Sequence, residues 1–386
     1  MSIVDPAYFG REQTAVKHRI LERYLTPLPL IVGRTWVKDV TFVDCCSGPW
    51  NTNTDDQSDS SFGIAVRQLR QARDTLASEG HAVNFRCLFI ERDPGAYAEL
   101  EGFCKTVADI QVQPLLGDFV ELIPKILRFV DQHAGSFPFF FIDPKGWSPL
   151  KIRQLTPLLQ RAPGEVLINF MTSHIRRFLE DEGKDFGALV GAHALEKMRG
   201  LSGQERDDAA AFAYADQVAR AGNFDYVCAT LVLNPQRDQT YYHLIYGTRH
   251  PKGVEVFKQA ERNASEFMAL ARADAQQRQR IESTQQTEMF SVLDFGAGYD
   301  NHLLCLRNRY LRLAHELVEK QLTVHRHRPI PYEDAWRTAC RFPLVWESDL
   351  HSWINREWRD KISVIGMRPN QRVPKCQAGN SLVWTA

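Results

Sequence analysis

Four acids stand where alternating strands and helices can use them: Asp44, Glu91, Asp118 and Asp143. Each ends or follows an apolar or β-branched run that reads as a strand, at 41–44, 85–91, 110–116 and 137–143. Parallel strands of one sheet share a carboxyl edge, so four such acids converge on one rim. The first lies in Thr41-Phe-Val-Asp-Cys-Cys-Ser-Gly-Pro-Trp50, where the strand runs into a small-residue turn at Gly48. Such a turn lets backbone N–H groups approach a nucleotide-like ligand. In order along the chain, the four acids match the polar groups of S-adenosylmethionine. Asp44, beside Gly48, accepts from the amine directly or through water. Glu91, a two-oxygen acceptor, takes both ribose hydroxyls. Asp118 accepts from the adenine amino group, and Asp143 closes the site near the methyl. The competing reading for each acid is a cap on the helix that follows.

Asp143-Pro-Lys-Gly-Trp147 is the sharpest of these segments. Pro144 fixes the backbone so that a carbonyl faces a target nitrogen, and Asp143 accepts its N–H. Trp147 stacks on a flipped base or forms a hydrophobic lid. Lys145 contacts a phosphate. A sulfonium methyl donor asks for neither a metal nor a strong nucleophile, so positioning supplies most of the rate. No metal site is expected. The eight Cys contain no Cys-x-x-Cys pair, and Cys45 and Cys46 are adjacent, with side chains on opposite sides. Reduced, buried thiols in the cytoplasm are the expectation.

The elements that must position these residues alternate in type. A helix is expected over 8–24, with Val16, Ile20, Leu21 and Tyr24 on its apolar face and Arg11, Lys17, His18 and Arg19 between them. Helices are expected at 62–78, from Pro94, at 119–130 and at 148–160, with a fifth strand at 164–170. Helical, Ala-rich sequence fills 187–221. Two strands, 226–233 and 241–247, then follow with only a polar turn between them, which makes an antiparallel pair. The fold class is α/β: a Rossmann-like sheet of the class I methyltransferase kind, mostly parallel and closed by an antiparallel hairpin. A nicotinamide dehydrogenase is disfavoured, because no Gly-x-Gly-x-x-Gly follows the first strand and the hairpin replaces a crossover helix. The glycine-rich Val292-Leu-Asp-Phe-Gly-Ala-Gly298 reads as an interdomain turn.

A chain of 386 residues is too long for one average domain. The expected division is a sheet domain at 1–265, a Gln-rich linker at 266–305 and a basic winged-helix-like domain at 306–386. From Leu306 onward there are 14 Lys and Arg against 8 Asp and Glu, although the whole chain is neutral. That asymmetry points to nucleic acid or another polyanion. Helices at 309–324, 332–340 and 348–358, the last capped by Ser348, and strands at 362–367 and 381–384 outline the module. Five of the eight Trp lie here and read mainly as packing. His351, Asn355, Arg356 and Arg359 are placed on the polar side of the third helix, facing a major groove. Arg368 and Arg372 sit in the turn between the two strands and join them as nucleic-acid contacts. No apolar run approaches the roughly 20 residues needed to span a bilayer, and the first ten residues lack the basic and apolar regions of a signal peptide.

With these residues in hand, the chain resembles the three-Cys-motif partner family, which has class I methyltransferase character. The resemblance covers most of the chain. It runs through the helix at 13–25, Val43-Asp-x-x-x-Gly-Pro49, Phe89-Ile-Glu91, Gly117-Asp118, Phe140-Phe-Ile-Asp-Pro-x-Gly-Trp147 and the strand at 242–250. It implies a Rossmann-like sheet, a winged-helix-like tail and a partner protein bearing three cysteines. Two positions depart from the family pattern. Trp50 stands where a second Gly would close the first turn, and an indole there would crowd the methionine end of the cofactor. Lys145 stands where an aromatic residue is common. The first reading is therefore an S-adenosylmethionine-dependent methyltransferase acting on a nitrogen of nucleic acid. The alternative is a non-catalytic nucleic-acid-binding subunit with a degenerate methyltransferase fold.

Overall fold

A computed structural model describes residues 4–48, 52, 54, 57–173, 186–284 and 300–386. Trp50 and the glycine-rich segment 292–298 lie outside them.

A seven-stranded sheet has the order β3-β2-β1-β4-β5-β7-β6. Its strands are β1 Asp39–Asp44, β2 Asn84–Glu91, β3 Gln111–Leu116, β4 Phe137–Ile142, β5 Glu165–Phe170, β6 Tyr226–Leu233 and β7 Thr240–Thr248. β1 to β5 are mutually parallel, and β7 runs antiparallel to both β5 and β6. Between strands come α1 Glu12–Leu25, α2 Leu28–Gly33, α3 Ser61–Ser78, α4 Pro94–Thr106, α5 Phe119–Val130 and α6 Ile152–Leu159. The Ala-rich region is three helices, α7 Gly187–Val190, α8 Ala192–Arg199 and α9 Gly203–Gly222. Gly191, at a φ of 86°, breaks the first from the second.

The period of two in the strands divides the core. Val40, Phe42, Phe89, Phe139 and Phe141 face α1 and α3 in one cluster. Val43, Leu88, Ile90, Phe140 and Ile142 face α5, α6 and α9 in the other. This is why Phe137-Pro-Phe-Phe-Phe-Ile142 is apolar throughout: the central strand is covered on both faces.

The helix expected at 8–24 is split. Pro6–Tyr8 forms a 3-10 turn, Gly10 takes a φ of 78°, and α1 begins at Glu12. The helix expected at 148–160 is likewise a 3-10 turn, Ser148–Leu150, followed by α6. After β7 comes α10, Pro251–Thr284, a continuous 34-residue helix that packs on α1. It crosses the expected boundary at 265, so the first part of the expected linker is helix, with Met268, Ala271 and Ala275 buried.

The C-terminal module has helices α11 Asn301–Val324, α12 Tyr332–Cys340 and α13 Glu347–Ser352, the last continued by a π-helical turn over Trp353–Glu357. α13 is capped from Trp346, whose N–H donates to Asp349 at 2.9 Å, and not from Ser348. The strands β9 Ile362–Ile365 and β10 Ser381–Trp384 pair as expected. β8 Ile330–Pro331 adds a third, giving an antiparallel sheet of order β8-β10-β9. Trp336, Trp353, Trp358 and Trp384 are buried in its core, which is continuous with the sheet cluster that contains α1 and α10. Arg272 of α10 ties the pieces together: it donates to Asp300, the N-cap of α11, at 2.6 Å, and to the Arg237 carbonyl and Asp238 in the β6–β7 turn. Among the described residues, no helix is long and apolar enough to cross a membrane.

At the amino end of the sheet, Arg86 of β2 donates to both oxygens of Asp39 in β1, at 2.8 and 2.6 Å. It also reaches the Phe129 and Val130 carbonyls. Both side chains are fully buried, so neither charge has water to fall back on. Arg86→Met strands the Asp39 carboxylate and should cost about 3–5 kcal/mol in urea unfolding, with Arg86→Met/Asp39→Leu recovering much of the loss. A single variant as stable as the parent contradicts this.

Candidate functional site

The strand order reverses direction between β1 and β4, and a cleft of about 470 Å³ opens there, outside the carboxyl ends of the strands. Open α/β sheets place ligands at such a switch point. Gly48, Glu91, Asp118, Asp143, Pro144 and Lys145 all line it. The four-acid arrangement expected from sequence is realised for three acids, with Asp44 as the exception.

Asp44 lies behind the wall of the cleft. It is completely buried, and its carboxylate folds back onto its own turn. Cys46 N–H donates to one oxygen at 3.0 Å, and the Ser61 hydroxyl at the start of α3 donates to the other at 2.5 Å. A short side chain at a strand end satisfies its local orphan donors before it reaches a ligand. The expected contact with a cofactor amine is therefore corrected to a structural role: Asp44 shapes the turn that carries Gly48. Burial is the main cause pushing its carboxyl up to about 6, with Asp143 adding to the rise and the Ser61 and Cys46 bonds opposing it.

Glu91 is buried to 4% exposure at the end of β2. One oxygen accepts from the Asp93 N–H at 2.7 Å. Asp118 is the N-cap of α5 and accepts from the Val120 N–H at 2.8 Å, so the capping role and a place in the cleft coincide. Gly117 makes this possible with a φ of 143° and donates its N–H to the Glu91 carbonyl at 2.9 Å. The chain thus holds the ends of β2 and β3 side by side.

Two residues that the sequence reading did not place in the site hold Asp143. Lys17 of α1 pairs with one carboxylate oxygen, and the Asn169 amide of β5 donates to the other at 2.5 Å. Lys17 also lies 5.8 Å from the Tyr242 ring centre, and Tyr242 donates to the Gln13 carbonyl at 2.7 Å. The signal for Asn169 is in the sequence: it is the polar residue in the otherwise apolar Val166-Leu-Ile-Asn-Phe170. Lys17 carried no such signal, because a lysine on an amphipathic helix reads as a solvated face.

Trp147 does not line the cleft. Its indole is partly buried and packs on Phe186 with ring centres 4.9 Å apart, so of the two roles expected for it the structure shows hydrophobic packing and not a stacking surface in the cleft. Lys145 is exposed at the rim, near enough to Glu91, Arg92 and Asp93 for their charges to be felt, while partial burial lowers its pKa. Cys45 and Cys46 line the cleft, and burial pushes both thiols well above the ordinary range, so neither serves as a thiolate. In the C-terminal module Asn355, Arg356, Arg359, Arg368 and Arg372 are exposed. His351 is half-buried, and its Nε2 is engaged, lying 2.9 Å from the Tyr332 hydroxyl and 3.2 Å from the Pro374 carbonyl.

The strand order, the single reversed strand and the cleft at the switch point define a class I methyltransferase-like fold. No family model and no curated protein matches the sequence. Among solved structures, a Legionella pneumophila protein of the family model DUF519 overlaps 64% of this chain and 87% of its own, at 13% identity and a TM-score of 0.36. A candidate methyltransferase from Porphyromonas gingivalis W83 overlaps 58% of this chain, which spans 41% of that protein, at 14% identity and a TM-score of 0.28. A loganic acid methyltransferase solved with S-adenosylhomocysteine (SAH) overlaps 73% of this chain and 92% of its own, at 9% identity and a TM-score of 0.30.

The raised Asp44 pKa fixes a sign. An unfolded Asp titrates near 3.8, so the folded protein holds this proton more tightly than the unfolded chain does. The stabilisation is present below that pH and is lost as pH rises toward about 6. Asp44→Asn, whose Oδ1 keeps the Cys46 bond and whose NH2 donates to the Ser61 hydroxyl in a reversed bond, should gain on the parent by about 2 kcal/mol between pH 4.5 and 7 in urea unfolding. Parallel stability curves for the two proteins would contradict it.

Proposed function

We propose that this protein binds S-adenosylmethionine in the switch-point cleft and is a methyltransferase acting on nucleic acid. The observation that carries the reading is the meeting of Glu91, Asp118, Gly48 and Asp143 in one cleft at the carboxyl edge. Its volume falls in the range of about 300–1,000 Å³ usual for small-ligand sites. The residues present fit the group. Glu91, with one oxygen on Asp93, offers its carboxylate to the ribose hydroxyls. Asp118, beside it on β3, offers an acceptor to the adenine amino group. The Gly48 turn and Cys46 border the amino-acid end. The cofactor supplies a methyl on a positively charged sulfur, and the chain's own part is to hold the two reactants in line and exclude water. Lys17 and Asn169 fix the Asp143 carboxylate at the end of β4, between the cofactor side and the β5 side of the cleft.

The C-terminal module is the reading's second half. Arg356, Arg359, Arg368 and Arg372 are exposed on a module with a positive excess and supply phosphate contacts. Arg356→Ala/Arg359→Ala should weaken binding of duplex DNA and reduce its salt slope, whereas unchanged affinity at low salt removes these contacts. The Phe140-Phe-Ile-Asp-Pro-x-Gly-Trp147 element supports kinship with the three-Cys-motif partner family, and with it a cysteine-bearing protein partner.

Isothermal titration with S-adenosylmethionine and SAH tests the cofactor assignment. Both should bind, and Glu91→Gln should weaken each by about tenfold or more through loss of charge-assisted bonds. Folded protein that gives no heat at millimolar ligand overturns the methyltransferase reading and leaves a nucleic-acid-binding subunit with a degenerate cleft.

A further inference from the structure

One residue that lines the cleft carries a hydrogen-bonding capacity that no described residue uses. Asn169 is 4% exposed and lines the cleft from β5. Its amide nitrogen is committed to Asp143 at 2.5 Å, and its Oδ1 is buried with no hydrogen-bond partner among the described residues. The amide orientation is settled by chemistry: the flipped form would set oxygen against the Asp143 carboxylate. A buried acceptor without a donor leaves its desolvation uncompensated, and an N–H that reaches it removes that cost. The position says which donor. Glu91, Asp118 and the Gly48 turn, on β2, β3 and β1, take the cofactor side, so β5 lies toward the methyl acceptor.

We propose that Asn169 Oδ1 receives an N–H of a neutral amino group on the methyl acceptor, so that Asn169 selects an amine over an alcohol or a carboxylate. This rests on the cofactor reading of the same cleft.

The surrounding groups favour the amine. An alcohol must surrender its proton as it reacts and needs a base. Both Asp143 oxygens are engaged, by Lys17 and by Asn169 itself. His18 also lines the cleft, but its Nδ1 bonds the Tyr8 hydroxyl at 3.0 Å. Burial, with Lys17 and Arg11 adding to it, holds the His18 pKa well below the ordinary value and makes it a poor proton acceptor. A carboxylate acceptor would bring its own oxygens against Oδ1. A neutral amine attacks the sulfonium methyl through its lone pair with no prior deprotonation: the N–C bond forms as the S–CH3 bond breaks and SAH leaves, an N–H remains for Oδ1, and the methylated nitrogen releases its extra proton to water afterwards. Tyr241, on β7 next to β5, also lines the cleft.

The test is tritiated-methyl transfer from S-adenosylmethionine to oligonucleotides of dA, dC and dT, to benzoate and to phenol, alongside titration with SAH. Label should enter the dA or dC oligonucleotide, whose bases carry exocyclic amines, and not dT, benzoate or phenol. Asn169→Leu should lower kcat/KM about tenfold to a hundredfold while the SAH affinity stays within about threefold of the parent's. Asn169→Ser, smaller and polar, should do the same if the leucine variant folds poorly. Label on phenol or benzoate, or undiminished transfer by either variant, overturns the inference. So does the absence of label on both amine-bearing oligonucleotides while SAH still binds, in which case the cofactor reading stands. Failure of SAH to bind removes the cofactor reading first.

Discussion

The ion pair between Lys17 and Asp143 is the constraint on which the site depends. It joins the first long helix to the fourth strand, 126 residues away in sequence. An aspartate at the carboxyl end of a central strand, partly out of water, needs compensation. α1 supplies it with Lys17, and β5 supplies a neutral donor with Asn169. The carboxylate becomes a fixed post with its charge balanced. The cleft then has two unlike sides: the β2 and β3 ends keep their acids, while the β4 and β5 ends present a neutralised pair and one open acceptor.

α1 can reach the rim only because the sheet beneath it is held rigid from the other edge. There the buried charged groups Arg86, Asp39 and Glu165 are partnered. Arg86 grips Asp39 across β1 and β2. Glu165 at the start of β5 accepts from Tyr24 of α1 and from Thr248 at 2.7 Å, and Tyr24 also meets the Tyr246 hydroxyl at 2.6 Å. These contacts hold α1, β5 and β7 in register near their amino-edge ends. Lys17 then lies two helical turns up α1 from Tyr24, at the height of the carboxyl rim. A fold that satisfies buried charge at one edge and leaves an acceptor unpaired at the other has its open valence where a ligand enters.

Most of the sheet was legible in the sequence because apolar runs of six to eight residues between turn signals leave few alternatives. The β6–β7 hairpin was legible for the same reason, since its two runs lack a helix between them. Side-chain direction at the strand ends was not legible. Asp44 and Asp118 have the same local signature, yet one turns inward to its own loop and the other stays at the cleft. That choice is made by Ser61 and by the left-handed Gly117, neither of which an acid-after-strand pattern contains. Trp147 was misplaced because its partner Phe186 is distant in sequence. Lys17 and Asn169 escaped because their roles exist only across elements. The long helix α10 was not read as one element because its Gln-rich end suits a linker or an exposed helix equally, although Arg272 anchors the C-terminal module.

The most direct measurement is a crystal structure of the protein grown with SAH. The adenosine is expected in the switch-point cleft, with the ribose hydroxyls on the Glu91 carboxylate, the adenine edge at Asp118 and Asn169 Oδ1 without a donor from the cofactor. A cleft that stays empty at saturating ligand, or an adenosyl group bound elsewhere on the molecule, would contradict it.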